Sequence, residues 1–171
     1  LSCSSAASDV YKRQAKNSVI NKDMSKPLVI VESPTKVKTI SKILGSEYIV
    51  KSSVGHIRDL PRNAKAIPAS YSNKEILWGA VKPKNFENIY VIPEDRKAIV
   101  KELKDIADEA SDVYLATDDD REGEAIAYHL MESLELKSEP KRIKFNEITE
   151  AAVTNAINNP ETIDIGKFKS Y

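Results

Sequence analysis

The amino-acid sequence predicts an α/β fold of three layers, with a mainly parallel central sheet and helices on both of its faces. Short runs rich in β-branched residues alternate along the chain with longer stretches whose apolar residues recur at helical spacing. Because parallel strands are joined by crossover helices, this alternation is typical of a sheet covered by helices. Polar and acidic residues follow two of the predicted strands, where open α/β sheets bind their ligands.

The first strand–helix pair is predicted at the start of this pattern. Leu28–Val31 is a short apolar run that reads as a buried strand. Ser33 suits a helix N-cap, Pro34 suits the first helical position, and Gly45 is a typical helix stop. A second strand is predicted at residues 48–50.

Apolar residues are scattered irregularly in the middle of the chain and follow a regular strand and helix spacing after residue 88. Residues 62–88 have scattered apolar positions and predict a long loop or a small insertion. A strand is predicted at 89–92 and an amphipathic helix at 94–110. The next strand, at 113–117, leads through an acidic turn into a helix that ends near Leu136.

The last elements are a further strand at 142–145 and a helix that Thr149 caps. Residues 1–23 are small, polar and without period, so we interpret them as a non-native or disordered extension ahead of Met24. The domain is predicted to occupy residues 24–158, and residues 159–171 are interpreted as the truncated start of a next domain.

Composition fits a globular domain and excludes several classes of protein. The chain has 171 residues, of which 41% are hydrophobic and 30% are charged, with a formal net charge of zero. No apolar stretch approaches the length of a membrane span. The one cysteine, Cys3, excludes an internal disulfide and a cysteine-rich zinc site. We expect a cytoplasmic protein and no membrane partner.

The acidic turn, Asp118–Glu124, is the most informative feature of the sequence. Five of its seven residues are carboxylates, which repel one another unless a cation balances them. Asp118, Asp120 and Glu122 alternate and are predicted to converge on a divalent cation, because Mg²⁺ and Ca²⁺ prefer carboxylate oxygens. Asp119 and Glu124 are interpreted instead as solvated or helix-capping acids at the positive end of the helix.

A second carboxylate, Glu32, follows the first predicted strand. The carboxyl ends of parallel strands lie at the same edge of a sheet, so Glu32 is expected near Asp118 although about 86 residues separate them. The two turns are therefore predicted to form one site.

Four motifs resemble one known family in order and spacing. They read VIVESPTKVKTI from Val29, SSVGHIRDLP from Ser52, LATDDDREGEAIA from Leu115 and FNEIT from Phe145, and the resemblance spans about residues 27–157. Together they resemble the N-terminal Toprim domain, a Rossmann-like fold, of bacterial type IA DNA topoisomerase I. The second motif and the Glu-Ser-Pro run of the first favour this family over topoisomerase III or a primase.

The resemblance implies a function for each part of the site. Type IA enzymes relax negatively supercoiled DNA without ATP, by transient single-strand cleavage through a 5′-phosphotyrosine and religation. Glu32 would be the catalytic general acid and also a metal ligand, with Asp118, Asp120 and Glu122 completing a Mg²⁺ site. None of the seven tyrosines lies in the sequence context of the family's nucleophile. The chain alone is therefore expected to be inactive, and its partners are expected to be single-stranded DNA segments and the remaining domains of a monomeric enzyme.

The basic residues of these motifs have two interpretations each. Lys36, His56, Arg58 and Arg121 are predicted to contact DNA, whereas solvation, structural hydrogen bonding or local charge balance would explain them without it. Lys38 and Lys42 are interpreted as a solvated helix face, and Glu147 as a supporting hydrogen-bonding residue. Two other functions remain open: the Toprim domain of a primase or nuclease, and a non-catalytic DNA-binding module.

Overall fold

The central sheet has four parallel strands, and the predicted α/β fold class is confirmed. The structure is a computed structural model, which describes residues 25–69, 71, 76–77, 80–81, 87–136 and 138–166. In chain order the strands of this sheet and the helices between them are β1 (Leu28–Val31), α1 (Pro34–Leu44), β2 (Ile49–Ser52), α2 (Lys97–Glu109), β6 (Val113–Ala116), α3 (Arg121–Leu134), β7 (Lys141–Arg142) and α4 (Glu150–Asn158). The strand order across the sheet is β2-β1-β6-β7.

Alternate residues of the central strands build two separate cores. Leu28 and Ile30 of β1 point to a layer that contains α2 and α3, where Leu103 and Leu130 pack. Val29 and Val31 point to the opposite layer, which α1 and α4 cover with Ile40 and Val153 among others. Because β1 and β6 are buried on both faces, their sequences are continuous apolar runs, as is usual for parallel strands.

Short local signals set the helix boundaries. The Ser33 hydroxyl accepts a hydrogen bond from the Lys36 amide at 3.5 Å and caps α1, and Thr149 caps α4 in the same way through Ala152. α1 ends at Leu44, and Gly45 follows with a φ of 65°, a value that favours glycine. α3 ends at Leu134, two residues before its predicted end, and Glu135 follows with a left-handed φ of 47°.

Several predicted elements differ from the observed ones. The strand predicted at 89–92 is wrong: there, Val91 only forms an isolated antiparallel bridge with Asp59. The apolar pattern of this segment comes instead from contacts such as the buried side chain of Ile89. The strand predicted at 142–145 is shorter than expected: it begins one residue earlier and comprises only Lys141–Arg142. The helix predicted from Glu94 starts with a 3₁₀ turn, Glu94–Arg96, before α2.

Residues 62–88 contain more regular structure than the sequence indicates. The described part of this segment includes a 3₁₀ turn at Ala64–Ala66 and a second, antiparallel sheet of β3 (Ile76–Leu77), β4 (Ala80–Val81) and β5 (Glu87–Asn88). Its strands of two residues are too short to show a period in the sequence. The predicted extension at residues 1–23 lies outside the described residues. Within the described ranges, no helix has the length and apolar character needed to cross a bilayer.

Candidate metal and nucleic-acid site

The candidate site lies where two neighbouring parallel strands end. Val31 and Ala116 are register partners at the carboxyl ends of β1 and β6. Glu32 directly follows the first strand and Asp118 comes two residues after the second, so sheet pairing brings these two acids together. The amide of Asp118 lies 3.5 Å from a carboxylate oxygen of Glu32.

The ammonium of Lys36 lies between these two carboxylates. Its Nζ donates hydrogen bonds to Glu32 Oε1 and to Asp118 Oδ1 from the first turn of α1. Burial alone would lower the pKa of Lys36, but the hydrogen bonds to Asp118 and Glu32 outweigh burial and raise that pKa. The hydrogen bond from Lys36 in turn holds the pKa of Asp118 below its ordinary value, against the effect of partial burial. The site therefore contains an internal cation that stabilises the ionised form of Asp118.

The other two predicted metal ligands stand at the start of α3. The Asp120 side chain is the N-cap of this helix and accepts a hydrogen bond from the Gly123 amide at 2.6 Å. Glu122 is in the first turn and its side chain is 70% exposed, with Oε1 lying 3.3 Å from His56 Nε2. Asp119 is exposed, as predicted, and lies 3.7 Å from Lys144.

A buried ion pair stabilises the backbone of the acidic turn. Arg142 Nε lies 3.1 Å from Glu124 Oε2, and neither side chain is exposed. The guanidinium of Arg142 also donates to the carbonyl oxygens of Leu115, Thr117, Ile143 and Asp118, at 2.7 to 3.1 Å. Arg142 therefore fixes the backbone from the end of β6 into the acidic turn.

The interpretation of Glu124 as a solvated or capping acid is wrong. This residue is fully buried, and its second oxygen accepts a hydrogen bond from the Asp164 amide at 2.6 Å. A lone buried carboxylate would be costly, and Arg142 supplies the compensating charge. The sequence carries a signal for this burial, because Glu124 lies three positions before Ala127 on the apolar stripe of α3.

Close contact between the acidic turn and α3 depends on a glycine. A Cβ on Gly123 would lie 2.1 Å from the carbonyl oxygen of Asp118, which is far inside van der Waals contact. The Thr117 hydroxyl donates to the Gly123 carbonyl at 2.5 Å from the other side. Gly123 thus lets the turn fold back against the first turn of α3.

The four predicted metal ligands line one open cleft of about 320 Å³. Its lining consists of Glu32, Ser33, Pro34, Val54, Gly55, Asp118, Asp120, Glu122 and Ile126. Within the described ranges, no three histidine, cysteine or acidic side chains are already gathered closely enough to hold a metal ion. The donor set nevertheless fits a hard divalent cation, because its members are carboxylates and the space between Glu32 and Asp118 already holds a positive charge.

A second, larger cavity of about 680 Å³ adjoins the acidic cleft and shares Val54, Gly55 and Glu122 with it. Arg58, Tyr90 and His129 form one part of its lining. The guanidinium carbon of Arg58 lies 5.8 Å from the centre of the Tyr90 ring, and this ring is centred 4.5 Å from the buried His129 ring. Burial, with smaller contributions from Arg58 and His56, lowers the pKa of His129 to about 4.

Comparison with known proteins decides the family. The Toprim domain family matches residues 27–148, which is more than half of the chain. The chain belongs to the Toprim domain family. The DNA topoisomerase 1 of Mycolicibacterium smegmatis is 50% identical over 141 residues, which cover 81% of this chain and 15% of that protein. For the DNA topoisomerase 1 of Streptomyces coelicolor the identity is 49% over 137 residues, covering 80% and 14%.

A solved structure agrees with this assignment. Full-length topoisomerase I from Thermotoga maritima superposes with a TM-score of 0.69 at 36% identity, over 84% of this chain and 22% of that one. The predicted resemblance to the Toprim domain of bacterial topoisomerase I is confirmed. The chain spans about 15% of the length of the curated relatives that it matches. Toprim domains bind a divalent metal ion, and carboxylates such as those of the acidic cleft are suitable ligands for such an ion.

The Toprim fold separates the predicted DNA-contacting residues. Lys36 is hydrogen-bonded to Glu32 and Asp118 of the acidic cleft. His56 lines the second cavity, where its Nε2 lies 3.3 Å from Glu122. Arg58 lines the second cavity, where it donates to the Tyr90 carbonyl at 3.4 Å. Arg121 is exposed at the start of α3 and is not among the described residues that line the cleft. The Glu147 carboxylate accepts a hydrogen bond from Thr149 at 3.3 Å, in keeping with a supporting role.

Sequence reasoning missed the residues whose roles depend on distant parts of the chain. The sequence pattern places Arg142 in a strand, and its basic side chain gives no local signal of burial. The sequence indicates no role for Tyr90 or His129, because their contact joins a loop to the buried face of α3. Val54 carries one local signal, since it precedes Gly55, a glycine that is typical of an irregular turn.

Proposed function

We propose that this chain is the Mg²⁺-binding Toprim domain of a type IA DNA topoisomerase. Such an enzyme relaxes negatively supercoiled DNA by transient single-strand cleavage through a 5′-phosphotyrosine and religation. One observation carries the proposal: Glu32 and Asp118, from motifs far apart in the chain, meet at the adjoining ends of β1 and β6. The similarity to topoisomerase 1 sequences over most of the chain supports the same function.

The proposed metal ligands are Glu32, Asp118, Asp120 and Glu122. When bound, Mg²⁺ would neutralise negative charge on the phosphate and so favour both cleavage and religation. Asp120 is able to cap α3 with Oδ1 while offering its other oxygen to the cleft. Lys36 must yield part of its contact with Glu32 and Asp118, so we expect weak metal affinity in the absence of DNA.

The protein's own groups have separate tasks in this proposal. In its protonated form Glu32 is the general acid that gives its proton to the departing 3′-oxygen, and it takes a proton back when that oxygen attacks during religation. Lys36, once released from the carboxylates, donates to a phosphate oxygen near the N-terminus of α1. Arg121 donates to the phosphate backbone from the start of α3, and His56 and Arg58 contact the strand next to the cleft.

The nucleophile is proposed to come from another part of a longer polypeptide. No tyrosine is among the described residues that line the acidic cleft. Tyr114 lies in the buried strand β6, where its ring contacts Tyr48. We therefore expect the chain alone to bind DNA and Mg²⁺ without cutting DNA, as a monomeric part of a cytoplasmic enzyme.

A combined titration tests this function. The amide signals of the acidic turn and Glu32 are followed by NMR as Mg²⁺ is added, with and without a single-stranded oligonucleotide. We expect both sets of signals to shift, with stronger metal binding when DNA is present. Asp118→Asn should abolish the response, whereas Glu109→Gln, which removes an exposed charge at the end of α2, should leave it intact.

Other outcomes would support other functions. DNA binding that is indifferent to Mg²⁺ indicates a non-catalytic module. Hydrolysed DNA or newly joined nucleotides indicate a nuclease or a primase. A covalent 5′-linked DNA adduct on this chain would contradict the proposal that the nucleophile lies elsewhere. In a full-length enzyme that contains this domain, Glu32→Gln should impair cleavage, and unchanged cleavage would exclude the proposed role of Glu32.

A further inference from the structure

The cavity beside the acidic cleft has the size and position of a nucleotide-binding pocket. Its volume of about 680 Å³ falls within the usual range for small-ligand sites, roughly 300–1,000 Å³. Val54, Gly55 and Glu122 line both this cavity and the acidic cleft, so the two spaces meet along a common wall. A strand with a phosphate in the cleft would bring an adjacent base to this wall.

Three flat side chains contact one another in this cavity. The Arg58 guanidinium lies over the Tyr90 ring and donates to the Tyr90 carbonyl, and the His129 ring packs against Tyr90 at an interplanar angle of 55°. Unpaired bases stack on aromatic rings and on arginine planes, largely without regard to sequence. The planar guanidinium of Arg58, which Tyr90 backs, is therefore suited to the face of a nucleobase.

Arg58 keeps its positive charge available for a ligand. The rim arginines of the cavity each lie near a carboxylate: Arg62 is 3.8 Å from Asp59 and Arg96 is 3.6 Å from Asp95. In the part of the chain that the structure describes, no carboxylate forms such an ion pair with Arg58. A half-buried guanidinium without an acidic partner is suited to an anionic ligand such as a nucleotide.

Val54 is held in a strained conformation on the common wall. Its φ is 55°, which is a genuine outlier for a β-branched residue, and the residue is 44% exposed. Several hydrogen bonds maintain this backbone: Val54 donates to Ser52 Oγ at 3.0 Å, its carbonyl accepts from Arg96 at 2.8 Å, and Gly55 donates to the Glu32 carbonyl at 2.7 Å. This backbone conformation places the apolar side chain of Val54 between the acidic cleft and the second cavity.

We propose that the cavity lined by Arg58, Tyr90 and His129 binds one unpaired base of a DNA strand whose phosphate lies in the acidic cleft. This inference rests on the proposed function, since it takes DNA to bind at that cleft. Arg58 stacks on the base, Tyr90 and His129 support Arg58 from behind, and Val54 contacts the base edge at the common wall.

The test compares two strands of equal charge. The 171-residue chain is titrated, in Mg²⁺, with a thymidine oligonucleotide of about eight units and with an abasic sugar–phosphate strand of the same length. We expect the oligonucleotide to bind more tightly. Arg58→Gln should weaken binding of the oligonucleotide about tenfold and binding of the abasic strand about twofold. Lys101→Gln removes an exposed charge from α2 and should weaken binding of the two strands equally or not at all.

A second pair of variants isolates stacking from charge. Tyr90→Leu should weaken binding of the oligonucleotide and leave binding of the abasic strand unchanged, whereas Tyr90→Phe should behave as the unmodified chain. Because Tyr90 contacts a buried ring, circular dichroism must first show that each variant is folded. Arg58→Gln alone decides the proposal if Tyr90→Leu does not fold.

The outcomes separate this proposal from the function on which it rests. Equal affinity of the unmodified chain for both strands, or equal loss of both affinities in Arg58→Gln, would overturn the base pocket and leave the metal and phosphate site standing. Thymidine monophosphate binding as tightly as the oligonucleotide would overturn the assignment to a strand. If the chain binds neither strand, both proposals fail.

Discussion

The guanidinium of Arg142 and the carboxylate of Glu124 form a fully buried ion pair beneath the acidic turn, with 3.1 Å between Nε and Oε2. Arg142 also holds the Asp118 carbonyl, while Glu124 also holds the Asp164 amide. The pair thereby joins the end of β6, the start of α3 and the segment that follows α4.

Glu124→Gln should lower the free energy of unfolding by about 3 kcal/mol. The substitution keeps the size of the side chain but leaves the buried charge of Arg142 uncompensated. Urea denaturation measures the loss. The matched control is Glu102→Gln, which breaks the exposed ion pair with Lys51 and should cost less than about 1 kcal/mol. Equal losses in the free energy of unfolding of the two variants would show that burial does not increase the contribution of the Arg142–Glu124 contact to stability.

Lys36→Met should strengthen Mg²⁺ binding in the absence of DNA. It removes the cation that lies between Glu32 and Asp118 and leaves two carboxylates with unbalanced charge. The measurement is the rise in melting temperature on adding Mg²⁺, which should be larger in the variant than in the unmodified chain. Lys38→Met removes an exposed charge from the same helix and serves as the control. An identical rise in melting temperature in Lys36→Met and the unmodified chain would show that Lys36 does not compete with Mg²⁺ for these carboxylates.

Gly123→Ala should destabilise the chain by about 1–3 kcal/mol and weaken its Mg²⁺ response. The added methyl group would press on the Asp118 carbonyl, which must move away from Arg142. Thermal unfolding and the NMR titration with Mg²⁺ measure the two effects. Glu132→Ala, at an exposed position of the same helix, should change neither. A Gly123→Ala variant with normal stability would mean that the turn relaxes without cost.

Stability should fall as the pH decreases from 6.5 towards 4, because of His129. Burial lowers the pKa of this residue to about 4 in the folded chain, whereas the unfolded chain has the ordinary value of 6.5. Between these values the unfolded state binds more protons, so its stability relative to the folded state increases as the pH falls. The full loss is on the order of 3 kcal/mol.

Urea denaturation at several pH values checks this dependence. His129→Phe should flatten the pH profile between 6.5 and 4, whereas His56→Gln, which changes the other histidine of the chain, should leave most of the slope in place because burial is the main cause of the shift in the pKa of His129. A profile that His129→Phe does not alter would assign the acid sensitivity to carboxylates instead.

The sequence predicted most of what depends on neighbouring residues. Ser33 and Thr149 cap helices as expected, because a cap uses an amide only three residues away. The meeting of Glu32 and Asp118 followed from one rule of topology, that parallel strands end at the same edge. Both predictions needed no knowledge of packing.

Features that depend on distant packing were not predictable in this way. Glu124 and Arg142 are 18 residues apart and meet only when β7 joins the sheet. The contact of Lys36 with Glu32 and Asp118 depends on how α1 packs against the acidic turn, and the sequence does not give that packing. The pattern at 89–92 resembled a strand, yet Val91 pairs with the loop residue Asp59. An apolar run indicates burial and leaves its partner unspecified.

The parallel pairing of β1 with β6 has a practical consequence. The acids of the cleft are contributed by two halves of the chain, and the segment at residues 62–88 connects those halves. Two polypeptides divided within that segment would each carry only part of the carboxylate set. Recovery of a Mg²⁺-dependent signal on mixing them would then report reassembly of the domain, which makes the cleft a natural sensor for fragment complementation.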